Sequence, residues 1–115
     1  MKTLSIADRV KIHGGYDYDP EFLKDPPKKP RTGTVKRFIP TPSGAGAAVV
    51  KLDFPITWKV TTGDVLVLTL RQENQTWATE GPVHAELCDF EPEDKQYNER
   101  KQGVWVESHA AIKIL

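Results

Sequence analysis

Val65-Leu66-Val67-Leu68-Thr69-Leu70 is apolar at five of six positions and follows the turn-forming run Thr61-Thr62-Gly63-Asp64. A strand with no polar alternation has no face to give to water, so this one is expected to be covered on both sides and to be the central strand of the fold. The segments around it carry the opposite signature, a period of two. Residues 47–54 place Ala48, Val50, Leu52 and Phe54 on one face, and residues 82–87 bury Val83, Ala85 and Leu87 while His84 and Glu86 point outward.

Further out the alternation continues. Residues 8–13 alternate charge and hydrophobe, with Val10 and Ile12 facing in and Gly14-Gly15 ending the strand. Residues 33–39 form another strand, stopped by Pro40, and Ser43-Gly44-Ala45-Gly46 reads as a hairpin because it lacks the lysine and spacing of a phosphate loop. Near the C-terminus, Pro92 stands early in a run that has acids first, Arg100-Lys101 last and Gly103 after them, which predicts one short helix. Residues 104–107 and 110–115 finish the chain as one bent strand or two. Half a dozen short strands joined by turns predict a mainly β fold, a small, partly open barrel with one short helix near the C-terminus, formed as a single domain over residues 1–115.

Composition bounds the function. The 115 residues are 38% apolar and 28% charged, enough for one hydrophobic core without disulfides. Cys88 is the only cysteine, so the chain makes no bridge of its own and builds no cysteine-rich metal site, and a reducing, cytoplasmic setting is expected. No apolar run approaches the roughly 18 residues of a membrane span. Sixteen basic residues balance sixteen acidic ones, which gives nucleic acid no overall attraction. The charge is nonetheless segregated. Residues 24–37 hold six bases against Asp25 alone, and residues 80–99 hold seven acids against Lys95 alone.

The order of elements, with a "Gly-Thr-Val" strand at Gly33-Thr34-Val35 and "Val-Val-Lys-Leu-Asp" at residues 49–53, resembles the small barrel of the Src-homology-3-like superfold. Tyr16-Asp17-Tyr18-Asp19 is similar to the "ALYDY" start of the long loop in Src-homology-3 domains. Gly63-Asp64-Val65-Leu66-Val67-Leu68 with Trp77 is similar to their "GD-x-L-x-V…W" segment. A second, local resemblance links Val83-His84-Ala85-Glu86-Leu87-Cys88-Asp89-Phe90-Glu91-Pro92 to the barrel of nitrile hydratase β subunits, whose cysteine-ligated metal belongs to the other subunit. These resemblances imply a fold and not an activity.

The segment between the first two strands holds Tyr16, Tyr18 and Phe22 beside Lys28, Lys29 and Arg31, with four prolines. A long aromatic and basic loop on a small barrel suits a protein or peptide partner, and exposed tryptophans, with Trp58 and Trp77 as candidates, would complete an aromatic groove. The expected function is therefore a non-enzymatic binding module. Alternatives are an accessory or assembly subunit of a larger enzyme, a nucleic-acid-binding barrel using the basic loop, and a small metal- or thiol-dependent hydrolase built on His84, Glu86, Cys88 and His109. The charged segments also offer a route to homo-oligomers. No motif calls for a cofactor or metal, and no membrane partner is expected.

Overall fold

In strand β1 (Arg9–His13) the alternation works as read: Val10 and Ile12 are fully buried, while Arg9, Lys11 and His13 lie on the outer face. The computed structural model describes residues 3–13, 31–40, 46–58, 61–71, 77, 80–90 and 104–115, with the backbone alone at 57, 58, 80, 81 and 104–109. Five further strands follow: β2 (Arg31–Ile39), β3 (Ala47–Trp58), β4 (Thr61–Leu70), β5 (Glu80–Cys88) and β6 (Val104–Ile114). The predicted helix, which falls within residues 91–103, lies outside the described residues. Among the described residues no helix is long and apolar enough to cross a membrane.

Each strand pairs antiparallel with the next, and β6 returns to β1 with Val10 opposite Ile114 and His13 opposite Ala111, so the sheet closes into a six-stranded barrel. The expected mainly β barrel is present, but it is closed where a partly open one was anticipated. The reason is the length of β6. It runs unbroken for 11 residues, pairing with β5 over most of them and reaching β1 through 111–114.

Strand β4 is covered on both faces, as its composition requires. Leu66 and Leu68 enter the main core with Val10, Ile12, Val50 and Leu87. Val65 and Val67 point the other way into a second cluster with Ile39, Ala47, Val49 and Cys88, against which Phe90 packs. Val49 and Val67 are essentially inaccessible, so the outer wall of the barrel at this pair of β3 and β4 is not solvent surface.

Two irregularities reset the phase of the alternation. In β2, Val35 pairs with Val50 but Arg37 pairs with Val49, so Lys36 is an extra, exposed residue. Beyond this bulge Phe38 falls on the inner side and Ile39 joins the outer cluster. Without the shift Arg37 would share the inward face of Val35. In β3, Lys51 pairs with Val65 and Ile56 with Gly63, which leaves residues 52–55 opposite Asp64 alone. Phe54, expected beside Leu52 on the buried face, is consequently 77% exposed. The strand also continues through Pro55 to Trp58, because at this bulge the missing proline N–H breaks no ladder bond.

Candidate binding surface

Strict antiparallel order sorts the connections between the two ends of the barrel. At one end lie the last residues of β1, β3 and β5 and the first of β2, β4 and β6: His13, Trp58, Cys88, Arg31, Thr61 and Val104. The chain therefore leaves and re-enters at this end for residues 14–30, 59–60 and 89–103. The first of these connections carries three of the six bases of the basic segment, with Arg31 at its edge, and the last carries five of the seven acids of the acidic one. The opposite end receives the connections between β2 and β3 and between β4 and β5.

Among the sequence-derived site residues, Arg31 is half-buried as the first residue of β2, opposite Ile12, and the backbone of Trp58 closes β3 opposite Thr61. Both stand at the end just described. Tyr16, Tyr18, Phe22, Lys28 and Lys29 lie outside the described residues. Trp77 belongs elsewhere. It sits on the connection at the opposite end, is 9% exposed, joins the main core and stacks at a tilt on Phe38 with ring centroids 5.9 Å apart. A side chain that fills the core is not free to line a groove, so Trp77 drops from the candidate surface.

The polar face of β5 also differs from expectation. Val83, Ala85 and Leu87 face the main core and Glu86 points outward as read, but the outer face is not open: His84 is half-buried, and Glu86 and Cys88 are 3% and 1% exposed. Register explains the burial: Cys88 stands opposite Val65 and Glu86 opposite Val67, both within the outer cluster. Burial, reinforced by the nearby charges of Glu86 and Asp89, pushes the Cys88 thiol up to about 12. It is held protonated at neutral pH and is a poor nucleophile and metal ligand. The side chain of His109 is not among those described. Among the described residues no group of three or more His, Cys, Asp and Glu side chains is placed to hold a metal ion.

The best-defined polar constellation is one that sequence reading missed. Arg9 on β1 donates from both terminal nitrogens to Asp53 on β3, at 2.7 Å to Oδ1 and 2.6 Å to Oδ2. It also donates to the Thr34 hydroxyl at 2.9 Å, and Thr32 Oγ1 donates to Asp53 Oδ2 at 2.5 Å. The bidentate fork ties three consecutive strands on the outer surface. Its members are up to 44 positions apart, so only their outward placement on alternating strands hinted at a shared face.

These hydrogen bonds, first from Arg9 and then from Thr32, lower the Asp53 carboxyl from 3.8 to about 2. Because folding lowers this pKa, the clamp favours the folded state fully above about pH 3.8 and loses that contribution as pH falls toward about 2. A carboxyl-carbon NMR titration is expected to give an Asp53 midpoint near 2 in the wild-type chain and a higher one in Arg9→Gln, still held below the ordinary value by the Thr32 hydrogen bond. A wild-type midpoint at the ordinary value would mean that the fork does not persist in solution.

No family model matches this chain, and neither does any curated protein or solved structure. The class that the fold itself defines is a small, closed, six-stranded antiparallel β barrel.

Proposed function

We propose that this chain is a non-enzymatic binding module that engages a protein or peptide partner at the barrel end carrying residues 14–30. The observation that supports this most is the filled interior. Val10, Ile12, Val50, Leu66, Leu68 and Ile112 occupy the inside of the barrel at no more than 1% exposure. A barrel of so few strands packed with side chains keeps no lumen for a small ligand, so recognition falls to its loops. The aromatic and basic residues Tyr16, Tyr18, Phe22, Lys28, Lys29 and Arg31 are the contact set, with Trp58 at the rim.

The buried, protonated Cys88 favours this reading over thiol-dependent hydrolysis. Affiliation with the Src-homology-3-like barrels accords with the same view, since small barrels of that kind commonly bind through a long loop. Pull-down with the wild-type chain, repeated with Tyr16→Ala/Tyr18→Ala and with Lys28→Ser/Lys29→Ser, tests it. A specific partner is expected to be recovered by the wild type and lost from both variants, while circular dichroism stays unchanged. Retention of every partner by both variants would remove this surface.

A further inference from the structure

The chain ahead of β1 folds back onto the barrel and inserts one side chain. Leu4 is 6% exposed and belongs to the main core, while Thr3, Ser5, Ile6 and Ala7 around it are exposed. Among the described residues, Leu4 and Trp77 are the members of that core that stand outside the six strands. The reversal is made by Ser5-Ile6-Ala7-Asp8, in which the Asp8 N–H donates to the Ser5 carbonyl at 3.1 Å and the Ser5 N–H donates to Asp8 Oδ2 at 2.8 Å. Ala7, the third residue of this turn, has φ at 76°. That is the position and sign a type II turn reserves for glycine, and an alanine there carries a steric penalty from its Cβ.

Few contacts hold this segment down. Val35 is its main polar attachment: the Val35 carbonyl accepts from the Ala7 N–H at 2.7 Å, and the Val35 N–H donates to the Asp8 carbonyl at 2.9 Å. Thr3 adds one isolated β-bridge. The apolar attachment is Leu4, because Ile6 is 60% exposed. Strand β1 is held in another way. From Val10 to Ile12 it pairs with β2 on one side and β6 on the other, and Arg9 is forked to Asp53. A strained turn with a single apolar anchor therefore leads into a strand locked along both edges, which places the weakest point of the chain just before Arg9. Release there gives up the burial of Leu4 and the bonds to Val35, and it returns Ala7 to an unstrained φ.

We propose that residues 3–8 are a strap that opens at the Ser5–Asp8 turn while the six-stranded barrel stays folded. Opening withdraws Leu4 from the main core. It also frees the main chain of Val35 on the side where β1 has already ended, since Arg9, the first residue of β1, pairs with Thr34. The strap is thus a plug for the core and a guard over one stretch of the β2 edge, a place where an uncovered strand would be open to pairing with another chain. It is independent of the partner reading above, because the strap enters the barrel at the end opposite the 14–30 connection.

Native-state hydrogen exchange of the full chain, followed amide by amide over rising urea below the unfolding midpoint, is the test. The Ala7 and Val35 amides are expected to exchange through an opening that hardly depends on urea, because little surface is uncovered. The Leu66 and Leu68 amides of β4 are expected to exchange by a costlier route that steepens with urea. Read at the Val35 amide, Ala7→Gly should lower the open population about 5-fold by removing the Cβ penalty. Leu4→Ala should raise it about 30-fold or more by removing the anchor. The proposal is overturned if the Ala7 and Val35 amides share the opening free energy and urea dependence of Leu66. It is equally overturned if Ala7→Gly fails to lower the open population, or if Leu4→Ala fails to raise it.

Discussion

Replacing Gly63 by alanine is expected to lower stability by about 3 kcal/mol, at the upper end of what a buried overpacking substitution costs. Gly63 pairs with Ile56 immediately beyond the β3 bulge, and on its other side the start of β4 crosses the end of β5. A Cβ added here runs into the carbonyl oxygen of Cys88, with the Cys88 carbonyl carbon at 2.9 Å and the Asp89 Cα at 3.0 Å. All three are main-chain atoms, so no side chain can swing aside, and relief requires β4 and β5 to separate. Because the main and outer clusters both draw on these strands, the separation loosens both. For a domain of this size, thermal unfolding should register a drop on the order of 10 °C, with a matching loss in the urea midpoint. An unchanged midpoint would show that the two strands do not approach so closely.

Trp77→Ala should cost a comparable or larger amount, about 3 to 5 kcal/mol, by the loss of buried surface and the cavity it leaves. Trp77 lies on a connection, yet it closes the main core at the end of the barrel where β4 passes to β5, against Phe38. Trp77→Phe keeps much of the volume and is expected to lose far less. The comparison with Tyr16→Ala/Tyr18→Ala is informative. If Trp77 belonged to a partner groove, the alanine variant would keep its denaturant midpoint and lose only binding. The structure places it where the midpoint falls first, so a loss of partner in Trp77→Ala would say nothing about contact.

These two predictions mark where sequence reading carries and where it stops. The strand alternation in β1 and the two-sided burial of β4 were legible because each is a local consequence of the period of two. Phe54 was misplaced for an equally definite reason. Periodicity assumes constant phase, and the pairing of residues 52–55 against Asp64 alone is a property of β3 and β4 together. Lys36 was similarly silent, although an Arg37 on the inward face of Val35 was a conflict that a bulge would resolve. At the candidate surface the two charged segments were visible in the chain. That residues 24–30 and 89–99 of these segments belong to connections at the same end of the barrel followed only from the strand order.

Taken alone, residue order was enough to establish a small mainly β fold with a doubly buried strand, a single cysteine and a segregated but balanced charge. Those features depend on composition and on contacts between near neighbours. Closure through β6 and β1, the second cluster outside the barrel, the burial of Glu86 and Trp77, the Arg9–Asp53 clamp and the exposure of Phe54 came from pairing between distant residues. Each depends on register, and a shift of one residue moves a side chain from one face of a sheet to the other, so these properties belong to the assembled barrel rather than to any one strand.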